Sequence, residues 1–216
     1  MSAPHVTVLD YGMSNLLNVV WAMEHCGAQV QVVEQAGDVH SLPDRLVLPG
    51  VGAFEHAARG VRQRGFDDLI RRFVATGRPF LGICVGAQLL LDVGEENGEH
   101  AGLGLIPGRV QPVSPVGFDG RPHRIPHIGW ASLHLPDARE TWDCTPLAGT
   151  KEGEAMYFVH SYAPVPTHDG HRLADTTYDG VRICAAVGRD NIFGCQFHPE
   201  RSGEYGLGVL KNFLAL

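Results

Sequence analysis

The chain has no apolar run long enough to cross a membrane, no Cys-x-x-Cys pair, no internal repeat and no low-complexity tract. The first absence excludes a transmembrane helix, and the second removes the common zinc and dithiol signatures. A basic excess is also missing. Lys and Arg number 17 against 24 Asp and Glu, a net charge of −7, which argues against nucleic acid or an anionic membrane as partner. The first residues lead directly into an apolar stretch with no signal-peptide pattern, so a cytoplasmic location is expected. Cys26, Cys84, Cys144, Cys184 and Cys195 are an odd set, expected to be reduced thiols there. Gly and Pro are plentiful but scattered as turn punctuation. A chain of 216 residues with no linker-like segment is expected to form one domain over 1–216.

What is present is alternation. Val6 to Leu9 reads as a strand, followed by a helix that Ser14 or Asn15 caps and Gly27 ends. Gln29 to Val33 and Arg45 to Leu48 read as strands, 53–64 and 67–76 as helices, and Phe80 to Ile83 as a further strand. Apolar strands alternating with helices predict a parallel sheet covered on both faces. After residue 93 short strands dominate, near 109–113, 125–135, 154–160, 171–177 and 181–187, and these are expected to be antiparallel. A last strand over 192–197 precedes a closing helix capped by Ser202. One short helical piece is expected near 145–148. The expected fold is α/β: a central, mostly parallel sheet flanked by helices, with antiparallel strands added in the C-terminal half.

The centre of the chain is Gly82-Ile-Cys84-Val-Gly86. An apolar strand ends there and the helix expected over 85–91 begins, so Cys84 sits at a Gly-x-nucleophile-x-Gly elbow. Glycines flank such a turn because backbone meets backbone there. First-turn N–H groups favour a thiolate and can receive an oxyanion. Taken alone, this stretch equally suits a buried structural cysteine. His198 and Glu200 stand two residues apart at the end of the last strand, where extended geometry would turn both to one face. Cys, His and a carboxylate that orients the His make a complete set for nucleophilic catalysis. Both pieces fall at the carboxyl ends of strands, where open α/β sheets bind ligands.

Residues 82–90 and 196–202 resemble the signature pair of class I glutamine amidotransferases. Four further stretches, 10–15, 48–54, 126–130 and 157–162, resemble the glutaminase subunits of imidazole glycerol phosphate synthases, which serve histidine biosynthesis. The resemblance implies that Cys84 attacks the side-chain amide of L-glutamine, with His198 as base and Glu200 orienting it. It implies oxyanion donors at Val85 and in the Gly50–Val51 peptide, and a glutamine-holding neighbourhood of Gly52, Gln88, Ser161 and Tyr162. It further implies a heterodimer with a cyclase subunit built as a (β/α)₈ barrel, no cofactor and no metal. Ala87 and Ala131 depart from the family pattern, where Met and Asn are usual. The alternatives are the glutaminase subunit of another amidotransferase, a stand-alone γ-glutamyl cysteine hydrolase, and a non-catalytic binding subunit.

Two other signals are weaker. Gly50-Val-Gly52-Ala-Phe-Glu55 imitates a dinucleotide fingerprint, but Glu55 would repel a pyrophosphate at that helix start. The histidines at 123, 127, 134, 160, 168 and 171 have no compact metal-ligand spacing and are read as satisfied core or surface residues. The glycines beside Val51 leave the 50–51 peptide free to rotate, which suits a switchable oxyanion donor.

Overall fold

The computed structural model describes residues 3–216. In chain order the elements are β1 (His5–Leu9), α1 (Leu16–His25), β2 (Gln29–Val33), β3 (Arg45–Gly50), α2 (Phe54–Gln63), α3 (Phe66–Val74), β4 (Phe80–Cys84) and α4 (Val85–Gln88). They continue with β5 (Val93–Gly94), β6 (His100–Ala101), β7 (Gly108–Pro112), β8 (His127–Ser132), β9 (Ala155–His160) and β10 (Tyr162–Pro166). Last come β11 (Arg172–Tyr178), β12 (Val181–Arg189), β13 (Ile192–Cys195) and α5 (Gly203–Ala215).

Seven strands make the main sheet in the order β11-β12-β13-β4-β3-β1-β2. From β13 to β2 all neighbours are parallel, and β12 and β11 extend the sheet antiparallel. The expected α/β architecture is therefore the observed one. The central strands β4 and β13 are buried along their whole length, the continuous apolar pattern of a sheet covered on both faces. The edge strand β2 is mostly open to solvent. α3 buries Phe66, Leu69, Ile70 and Phe73, and α5 buries Val209, Leu210, Phe213 and Leu214. A four-stranded sheet, β10-β7-β5-β6, and the antiparallel β8–β9 pair flank the main sheet.

This order decides where the site lies. β13, β4, β3 and β1 are consecutive neighbours, so their carboxyl ends bring together segments far apart in sequence. The register sets Gly50 beside Cys84 and Cys195 beside Ile83.

Four local expectations change. The helix after Cys84 stops at Gln88, because the carbonyls of Leu89, Leu90 and Leu91 accept N–H groups from Leu103, Gly104, Leu105 and Ile106. The last strand stops at Cys195, and a 3₁₀ turn occupies Pro199–Arg201. Residues 145–148 form turns rather than a helix. Tyr162–Pro166 is a strand that alternation did not reveal, since two prolines lie within it.

Candidate active site

Cys84 joins β4 to α4 at φ 55° and ψ −112°, a conformation an L-residue adopts only under constraint. The constraint is the packing of the two flanking glycines. A Cβ on Gly82 would lie 2.6 Å from the Gly86 carbonyl oxygen, and one on Gly86 would collide with the Leu48 carbonyl. The strained elbow thus follows from Gly82 and Gly86 meeting backbone, as their spacing predicted. Ala87 is buried behind the turn, against Gly194.

On one side of the sulfur stands a charged pair. His198 Nδ1 is 2.8 Å from Glu200 Oε1, and both side chains are almost wholly shielded from water. The contact is made through the 3₁₀ turn at Pro199–Arg201, where an extended strand had been expected. With Nδ1–H donated to Glu200, Nε2 is the nitrogen left for Cys84. Burial by itself drives the imidazolium down, but hydrogen bonding and charge from Cys84 and Glu200 outweigh it and carry His198 up to about 10.

Two side chains that suggested helix caps serve this pair instead. Asn15 makes no cap bond; its Nδ2 donates to Glu200 Oε1 at 3.3 Å. Ser202 occupies the N-cap position of α5, yet its hydroxyl donates to the His198 carbonyl at 2.6 Å and accepts the Tyr157 N–H at 3.0 Å. The His198 N–H in turn donates to the Tyr157 carbonyl at 2.9 Å. The main chain of His198 is therefore held from both sides by β9 and Ser202. Nothing in local spacing signals this clamp.

On the other side the groups are neutral. Gln88 Nε2 donates to the Tyr162 carbonyl and to Gln196 Oε1, each at 2.9 Å. His160 Nδ1 donates to the same carbonyl at 2.9 Å, and its Nε2 accepts from His127 Nδ1 at 3.0 Å. Burial pushes His160 down to about 4, against the pull of the Tyr162 carbonyl, and lowers His127 as well. These two histidines are satisfied core residues, as their sequence context suggested.

The loop after β3 closes the arrangement. The Val51 N–H donates to the Met13 carbonyl at 2.9 Å. Gly52 has φ 89°, whereas Gly50 is required for space, because a Cβ there would overlap the Tyr11 hydroxyl. That hydroxyl is buried without a hydrogen-bond partner, and burial, then the charges of Cys84 and Asp10, raise it far above the usual phenol range.

A cavity of about 590 Å³ opens over the elbow. Cys84, Val85, Gln88, Val51, Gly52, Ser161, Tyr162 and His198 line it, so these sequence-predicted residues converge on one space. Glu200 stands behind His198, and Gly50 beneath the loop. The carbonyls of Ser161 and Tyr162 are already engaged, by the Val113 N–H and by Gln88 with His160. Among the other thiols, Cys184 and Cys195 are fully buried, and burial pushes Cys184 up to about 12.

The family model for "Glutamine amidotransferase class-I" matches residues 7–216. The chain belongs to the class-I glutamine amidotransferases. Among the relatives of this amidotransferase is the imidazole glycerol phosphate synthase subunit HisH 1 of Legionella pneumophila (strain Lens), 46% identical over 98% of this chain and 99% of that protein. The HisH subunit of Geobacillus thermodenitrificans is 44% identical over 98% of this chain and 95% of its own length. A structure of PurLQS from Thermotoga maritima superposes with a TM-score of 0.72 at 22% identity, over 99% of this chain and 98% of that one, which shows the shared fold.

Proposed function

We propose that this amidotransferase is the glutaminase subunit of an imidazole glycerol phosphate synthase. It hydrolyses L-glutamine at Cys84 and supplies ammonia to a partner cyclase. The relatives that carry that subunit's name span nearly its whole length at more than 40% identity, and this observation carries the reading. The site geometry supports the chemistry. The Cys84 thiolate attacks the carboxamide carbon, and the oxyanion that forms is received by the Val85 N–H and a donor from the Gly50–Val51 peptide. His198 gives its proton to the departing nitrogen, the C–N bond breaks, ammonia leaves, and a γ-glutamyl thioester remains. Water, deprotonated by His198, then cleaves the thioester to glutamate and restores the thiolate–imidazolium pair. Glu200 holds the tautomer and stabilises the imidazolium throughout. Gly52, Gln88, Ser161 and Tyr162 hold the glutamine. Both Gln88 N–H groups are spent inside the protein, so its Oε1 is the atom that meets the substrate.

The partner is a (β/α)₈-barrel cyclase, bound as a heterodimer in the cytoplasm. Asn15, Asn18, Pro126 and Arg201 at the cavity mouth lie beside exposed apolar side chains. Trp130 is 58% exposed and set edge-on to Tyr157, over whose ring Arg201 lies, and Leu17 and Trp21 project from α1. Such a rim suits docking of a protein over the site. The Val51 N–H, engaged with Met13, is then released to the site when the partner and its ligand bind the rotated form of the loop more tightly. The test is glutamine hydrolysis by the chain alone, with the cyclase, and with the cyclase and its ligand. Strong stimulation and complementation of a histidine auxotroph are expected. Equal rates in all three conditions would identify a stand-alone hydrolase.

A further inference from the structure

The neutral side of the site contains a hydrogen-bond chain with only one possible direction. It starts from the Tyr162 carbonyl oxygen, which can only accept. Gln88 Nε2, 2.9 Å away, must therefore be the amide nitrogen, since the reversed amide would set oxygen against oxygen. The same nitrogen lies 2.9 Å from the Gln196 side chain, so Gln196 must present its oxygen to Gln88. Its NH₂ group is thereby turned the other way, where it meets Cys84 Sγ at 3.7 Å. Gln196 is fully buried, so no water competes for either end. It is a polar residue just past the end of the apolar strand β13, and this contact accounts for its presence.

We infer that Gln196 is a dedicated donor to the nucleophile: its amide N–H bonds the Cys84 sulfur, aims it at the cavity and stabilises the thiolate. The inference rests on the reading of Cys84 as nucleophile and goes beyond it. The bond favours the thiolate in the free enzyme and again when the thioester releases sulfur. Gln196 does not line the cavity, so it acts on the sulfur and not on bound glutamine.

The experiment compares unmutated protein, Gln196→Leu and Gln196→Glu, each in complex with the cyclase. The Leu variant removes the donor; the Glu variant keeps the shape and the acceptor for Gln88 and sets a carboxylate oxygen where the N–H faced sulfur, so that repulsion adds to the lost bond. Cys84 alkylation is followed against pH by peptide mass spectrometry, which separates it from the exposed Cys144 and half-buried Cys26. The titratable groups facing the sulfur are His198, backed by Glu200, and Tyr11, with His160 beyond. These residues are unchanged in both variants, and the one titratable group added is the carboxyl of Gln196→Glu.

The alkylation midpoint should rise by about one pH unit in Gln196→Leu and further in Gln196→Glu. kcat should fall roughly 10- to 100-fold with little change in KM for glutamine. A merely structural role would lower thermal stability and leave the midpoint in place. Should both variants fail to fold, the side-chain amide resonances of Gln196 in unmutated protein should titrate with the Cys84 midpoint. An unmoved midpoint in a folded variant, or amide signals indifferent to that titration, overturns the inference. Failure of unmutated Cys84 to react with an electrophilic glutamine analogue would instead sink the reading of Cys84 itself.

Discussion

Two buried histidines line the cavity with Cys84, and the protein drives them in opposite directions. His198, on the charged side, is carried up to about 10, while His160, on the neutral side, is pushed down to about 4. Both are buried, so burial does not separate them. Their partners do. His198 faces a carboxylate and a thiol, each able to carry negative charge; His160 faces a main-chain carbonyl and another imidazole. One strand end therefore keeps a proton for chemistry, and the other keeps a fixed pattern of neutral donors for positioning.

Removing the charged side should have the largest effect. His198→Ala should lower partner-stimulated glutamine hydrolysis roughly 10²- to 10⁴-fold, read as kcat for glutamate formation. Glu200→Gln leaves the base in place and should cost less, by as much as ~10²-fold relative to loss of the base. Wild-type turnover in Glu200→Gln would remove Glu200 from the set.

The same contrast should be visible in stability against pH. The folded pKa of His160 lies below its unfolded value of about 6.5, so its contribution is present above that pH and is lost as pH falls through about 4. The loss amounts to about 3 kcal/mol at most. His198 is opposite in sign: its contribution is full below about 6.5 and is lost as pH rises through about 10. Urea midpoints between pH 4 and 10 should show an acid limb that flattens in His160→Gln and an alkaline limb that flattens in His198→Gln. If both variants changed the same limb, the two environments would not differ as described.

The smallest expected effect lies at the loop both sides share. Gly50→Ala would press a methyl group into the Tyr11 hydroxyl and should cost about 1–3 kcal/mol, seen as a lower thermal midpoint. Tyr11→Phe removes a buried hydroxyl that has no partner and should be nearly neutral alone. Combined with Gly50→Ala it should recover part of the loss. Strict additivity would place the obstruction elsewhere, at the Gly86 main chain.

Much of this site was legible in the sequence because its essential parts are local. The elbow is written in two glycines two residues either side of Cys84, and a backbone that approaches backbone leaves no other choice of residue. The His198–Glu200 pair needs only a two-residue separation, which a 3₁₀ turn satisfies as well as a strand. The alternation of apolar strands with helices determined the parallel sheet, since strands buried on both faces must be apolar throughout. Tertiary structure alone decided the rest. Asn15 reaches Glu200 and Gln196 meets Cys84 only because β1, β3, β4 and β13 end side by side, and Tyr157 clamps His198 only because β9, from a separate sheet, packs there. Asn and Ser before a helix read as caps, but the buried Glu200 carboxylate and the His198 carbonyl claimed them. The helix after Cys84 stopped early for a related reason: the carbonyls of Leu89 to Leu91 meet N–H groups of Leu103 to Ile106, and local spacing cannot assign such partners before the chain has folded back.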